Sequence, residues 1–102
     1  MKLADLDYKQ LIERVREGEP GAFEKLHRYC DSIIWKQAKR FNVSQLYELS
    51  HEDLVEEGWA IFLKIIKNED WYKELKKWKA IPNFSFPKWL AIVVYRRMIN
   101  IV

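Results

Sequence analysis

The sequence predicts an all-α fold: a compact bundle of four main helices, with an extra basic helical segment between the third and the fourth. Three observations predict it. Apolar residues recur at three- and four-residue spacing along most of the 102 residues, the repeat of a helix with one buried face. Apolar and polar residues nowhere alternate over the length of a strand. Gly and Pro occur three times each, and most of them stand between the periodic stretches. With 49% apolar residues and 15% aromatic ones, residues 1–102 can form a single cored domain. The lone Cys30 excludes an internal disulfide and offers no zinc framework.

The elements follow in order. Leu6, Leu11, Ile12 and Val15 define a first helix over about 5–17, and Gly18-Glu19-Pro20-Gly21 stops it. Pro20 suits the start of the next helix, where its missing N–H costs nothing. The second helix is expected from about Gly21 to Phe41, on the stripe Ala22, Phe23, Leu26, Tyr29, Cys30, Ile33, Ile34 and Phe41. Lys36, Lys39 and Arg40 fall in its last turns, where positive charge suits the helix dipole. Residues 42–49 read as a connection. Ser50 opens a third helix, with Asp53 in the third position of a capping box and Leu54, Val55, Ile61, Phe62, Ile65 and Ile66 on the apolar face. This helix is expected to end near Asn68. Trp71, Leu75 and Trp78 give residues 69–80 a short helical repeat, which Ile81-Pro82-Asn83 breaks. Ser85 caps a final helix with Pro87 in its first turn, carried by Trp89, Leu90, Ile92, Val93 and Ile99.

A net charge of +3 conceals a segregation. Residues 48–63 hold five acids and no base, whereas residues 64–79 hold six bases to three acids and residues 80–102 hold three bases and no acid. Surfaces of opposite sign point to two different partners. The chain has no apolar run of membrane-spanning length, and its N-terminus turns acidic at Asp5 without a signal-peptide core, so a cytoplasmic location and no membrane partner are expected.

Enzyme chemistry finds little support. His27, Cys30 and Asp31 imitate half a metal site, but one further His and no further Cys cannot close a usual zinc site, so Cys30 reads as core and His27 as its edge. Adjacent Ser50 and His51 do not face one another on a helix, and no Gly-rich phosphate loop occurs. No catalytic residue, metal or cofactor is therefore expected. Two other features ask for binding. Gly58 lies inside the third helix, where Gly costs about 1 kcal/mol relative to Ala. Behind an acidic turn and before Trp59, it suggests a docking surface for a basic partner. The second feature is the basic-aromatic half. Lys64, Lys67, Lys73, Lys76, Lys77 and Lys79 surround Trp71, Tyr72 and Trp78, which either stack on unpaired bases or cap the core. Lys88, Tyr95, Arg96 and Arg97 add a helix without acids.

The run Asp53-Leu54-Val55-Glu56-Glu57-Gly58 resembles region two of bacterial RNA polymerase sigma factors, whose pattern reads Asp-Leu-Ile-Gln-Glu-Gly. Ala22-Phe23-Glu24-Lys25-Leu26 with Tyr29, and the ending Ala38-Lys39-Arg40-Phe41, resemble the first helical part of that region. Phe84-Ser85-Phe86-Pro87-Lys88-Trp89-Leu90-Ala91 resembles the opening of its promoter-reading helix. Together they span about residues 8–102, in the family's order.

The resemblance implies a role in transcription initiation for each charged surface. Asp53, Glu56, Glu57 and Trp59 would dock on the clamp helices of the largest subunit of core RNA polymerase. Lys73, Lys76, Lys77, Trp78, Lys79, Lys88, Trp89, Tyr95, Arg96 and Arg97 would recognise the minus-ten promoter element. They would hold its unpaired non-template strand, with bases flipped against aromatic walls. An anti-sigma factor or a separate helix-turn-helix subunit would be further partners. Three departures stand out: Glu56 replaces the usual Gln, Ile92 and Val93 replace the Trp pair of the primary class, and 69–80 exceeds the usual connection. Residues 1–102 contain no helix-turn-helix region, so the expectation is either one domain of a longer factor or a protein that supplies region two alone. The rival expectations are a protein-interaction module of this fold without DNA contacts, such as a split-sigma helper, and a regulator from a mobile element.

Overall fold

A computed structural model describes residues 5–41, 49–68, 70, 71, 73 and 85–101. Four helices account for most of them: α1 (Asp5–Arg16), α2 (Ala22–Ala38), α3 (His51–Ile66) and α4 (Phe86–Ile101). The all-α, four-helix expectation holds, and the described residues contain no strand. The expected basic helical segment over 69–80 lies mostly outside the described residues.

The helix ends explain where the sequence-based boundaries shift. Gly18, at φ 76°, closes α1. The Glu19 N–H donates to the Arg14 carbonyl and the Gly18 N–H to the Val15 carbonyl, both at 3.0 Å. This pairing is the Schellman stop, and it places the left-handed residue where only Gly escapes a Cβ penalty. Pro20 does not open α2 as expected, because Gly21, at φ 81°, takes the N-cap and the first helical residue is Ala22. At its far end α2 stops at Ala38 rather than Phe41. The Arg40 and Phe41 N–H groups reach back only three residues, to the Gln37 and Ala38 carbonyls, and tighten the last turn.

The cap of α3 forms as expected. The Asp53 N–H donates to Ser50 Oγ at 3.2 Å, and the Ser50 N–H donates to Asp53 Oδ2 at 2.9 Å. In α4 the Trp89 N–H reaches the Ser85 carbonyl at 2.9 Å, and Pro87 falls within the first turn, where no N–H is needed.

α2 is the central element, packing against α1, α3 and α4, and α3 also packs along α4. It presents Ala22, Leu26, Cys30, Ile34 and Ala38, all buried and each four residues apart. Tyr8, Leu11 and Ile12 come from α1, Leu54, Val55, Phe62 and Ile66 from α3, and Phe86, Trp89, Leu90, Val94 and Met98 from α4. Gly58 is where three helices meet. A Cβ there would stand 2.8 Å from Ile34 Cγ2 on α2 and 3.2 Å from Met98 Cε on α4. The sequence reading assigned this Gly to an outside partner; the close approach is made by the protein's own helices.

Burial pushes the Cys30 thiol up to about 12, so it stays protonated and unreactive inside the core. Among the described residues no helix is long and apolar enough to cross a membrane.

Candidate protein-docking groove

A surface groove lies between α2 and α3. It is an open groove of about 560 Å³, lined by His27, Asp31 and Trp35 from α2 and by Glu52, Val55, Glu56, Trp59, Ala60 and Leu63 from α3. The α2 residues repeat every four positions, one residue beyond the buried Leu26, Cys30 and Ile34. They form the rim of the helix face that packs into the core.

Trp59 forms the floor. Its Nε1–H donates to Asp31 Oδ1 at 2.9 Å, tying α3 to α2 across 28 positions of sequence. The His27 ring lies parallel to it, 4° between planes and 4.9 Å between centroids. Phe23, exposed at 44%, and Phe62 complete the aromatic surround at 6.0 Å and 5.8 Å. His27 Nε2 is also 3.6 Å from Asp31 Oδ1, so one carboxylate oxygen faces both rings. The lining therefore holds three carboxylates, Asp31, Glu52 and Glu56, and no Lys or Arg. An apolar floor with an anionic rim is suited to a helix that presents both apolar and cationic side chains.

The four residues expected to contact polymerase are divided by the structure. Glu56 and Trp59 line the groove. Asp53 spends its carboxylate on the α3 cap. Glu57 turns toward α4, where its Oε2 accepts from Arg97 Nε at 3.3 Å and lies 3.2 Å from Arg97 Nη2. Asp31, Trp35, His27 and Glu52 are groove residues that the sequence reading did not assign to docking. The four-residue spacing of 27, 31 and 35 beside the buried stripe was the available signal.

The expected DNA-contacting residues separate as well. Trp89 is 2% exposed and sits among Phe86 and Trp71 at centroid distances of 5.6 Å and 6.1 Å. Its assignment as a stacking surface is corrected: it faces the same core as Phe86 and Leu90, one turn into α4. Trp71 is likewise 2% exposed and belongs to the core, so its alternative as a base platform falls. Tyr95 is half-buried, stacked on Phe41 at 5.3 Å with the Arg40 guanidinium 3.8 Å above its ring. Lys88 and Arg96 are exposed on α4, eight residues apart on one side of the helix. Arg97 carries the Glu57 ion pair, and exposed Lys73 pairs with Asp70 at 3.3 Å. Tyr72, Lys76, Lys77, Trp78 and Lys79 lie outside the described residues. Among the described residues no group of three or more His, Cys, Asp or Glu side chains converges to hold a metal ion.

Set against family models, curated proteins and solved structures, the chain matches none of them. What the fold and groove define is a class: a small all-α domain with an acidic, tryptophan-floored surface cleft.

Proposed function

We propose that this domain is a docking module of the kind sigma region two provides, acting in the bacterial cytoplasm without an active site of its own. Its α2–α3 groove receives a basic helical element, the clamp helices of RNA polymerase being the partner that the sequence resemblance names. The observation that carries the proposal is the lining of that groove, three carboxylates around Trp59 with no opposing Lys or Arg. The sequence motif and the cleft coincide at Val55 and Glu56, and Trp59 of the lining directly follows the motif. In the same reading Lys88 and Arg96 on α4 contact the phosphates of the promoter strand.

The test reverses charge at groove residues that make no cap hydrogen bond. Glu52 and Glu56 are exposed on α3 and do not take part in its cap. Glu52→Lys with Glu56→Lys is expected to weaken capture of a purified clamp-helix fragment by more than about tenfold, in the range of close interfacial charge pairs. Unchanged capture, with helicity retained by circular dichroism, would remove the proposal. Asp53→Lys is unsuitable, because it uncaps α3.

A second reading is favoured by one observation. Trp71 and Trp89 are core residues, and half-buried Tyr95 already stacks on Phe41 and Arg40, so three expected base-stacking surfaces make contacts within the protein. On that reading the domain docks a protein partner and does not hold DNA.

A further inference from the structure

We propose that His27 is a proton gate on the α2–α3 groove, weakening the docking of a basic partner as the pH falls from 7.5 to 5.5. The inference rests on the docking reading above and adds its regulation. Three contacts converge on the gate. Trp59 Nε1–H holds Asp31 Oδ1 at 2.9 Å, His27 Nε2 stands 3.6 Å from that same oxygen, and the two rings lie parallel at 4.9 Å.

When His27 is neutral, the Asp31 carboxylate answers one indole N–H and keeps acceptor sites for a partner's cation, since a carboxylate offers about four. When His27 gains a proton, both ring nitrogens become donors. The imidazolium then pairs with Asp31 and places its charge over the face of Trp59, a favourable cation–π arrangement. The groove loses an acceptor and gains a charge of the partner's own sign. Both effects weaken docking, so the sign is fixed: affinity is high at neutral pH and falls on acidification. Along α2, Asp31 lies beside His27 and Glu24 and Arg28 stand within three positions of it in sequence, and Glu52 and Glu56 line the same groove from α3. Carboxylates in water titrate near about 4, and imidazole is the side chain that ordinarily titrates between about pH 5 and 8. The other histidine, His51, bonds the Phe41 carbonyl at 3.0 Å and is outside the groove lining.

The experiment has two arms. In the first, the Trp59 indole N–H signal is followed by NMR between pH 7.5 and 5.5 without any partner. It is expected to shift with a single proton, and the shift is expected to vanish in His27→Gln but persist in His51→Gln. A Trp59 signal that does not move, or that moves equally in His27→Gln, overturns the gate whatever the groove binds. In the second arm, affinity is measured at constant ionic strength for a synthetic amphipathic helical peptide bearing Lys and Arg but no His, Asp or Glu. Wild type is expected to bind about three- to fivefold more weakly at pH 5.5, the effect of one partly exposed charge pair, and His27→Gln is expected to lose that pH slope. An equal slope in His27→Gln overturns the gate and leaves the docking reading standing. Absence of peptide binding at either pH overturns the docking reading, and the gate with it.

Discussion

At the scale of single residues, Gly58 decides how closely three helices pack. Inside a helix Ala is favoured over Gly by about 1 kcal/mol. Here the added methyl would stand 2.8 Å from Ile34 Cγ2, on a fully buried side chain that has no room to retreat. Overpacking of this kind costs roughly 1–3 kcal/mol, so Gly58→Ala is expected to be net destabilising in urea denaturation. A double-mutant cycle with Ile34→Ala checks the cause: the pair is expected to be less destabilised than the sum of the single variants. Additive losses would show that the methyl does not meet Ile34. The sequence announced that Gly58 was unusual, but not what approached it. Helical spacing places Gly58 on a face without naming the opposing residue, and the neighbours Ile34 and Met98 come from 24 and 40 positions away. Glu57 and Arg97 make the same point: each was read as belonging to a separate surface, and they form one ion pair.

At the scale of elements, the caps were legible and the helix lengths less so. Ser50 and Asp53 satisfy one another's backbone N–H groups, and the spacing alone announced it. Ser50→Ala is expected to lower stability by about 1 kcal/mol, read as a shift of the denaturation midpoint without a change of slope. No shift would mean that the α3 N-terminus is held by its packing and not by its cap. The end of α2 shows what sequence periodicity misses. Phe41 keeps the apolar spacing of the stripe, so periodicity extends the helix to it, yet the backbone turns into three-residue hydrogen bonds after Ala38. Phe41 instead packs against Tyr95, and its carbonyl bonds to His51. A side chain can continue an apolar stripe after its backbone has left the helix.

At the scale of the whole molecule, the segregated charges of the sequence map partly onto different elements: Glu52 and Glu56 of the acidic block join Asp31 in the α2–α3 groove, and the exposed bases Lys88 and Arg96 lie on α4, while Glu57 and Arg97 meet between α3 and α4. This arrangement makes a DNA-holding role measurable through salt. Single-stranded binding falls with salt at a slope of about 0.7 per neutralised phosphate, so Lys88→Ala and Arg96→Ala are each expected to reduce the slope for a minus-ten-type oligonucleotide by about that amount. No binding even at low salt, with the clamp fragment present or absent, would favour the reading in which the domain docks protein alone. The helical class, the punctuation between helices, the α3 cap and the acidic block were all legible from residue order. These are properties of neighbours three or four positions apart, and local spacing suffices for them. Packing between distant segments was needed to show that Trp71 and Trp89 are core, that Glu56 lines a cleft while Glu57 turns to Arg97, and that the Trp59 and His27 rings meet at one Asp31 carboxylate oxygen. An amphipathic tryptophan satisfies either a core or a surface in one dimension; burial follows from which helix arrives opposite, and that is fixed by packing between distant segments.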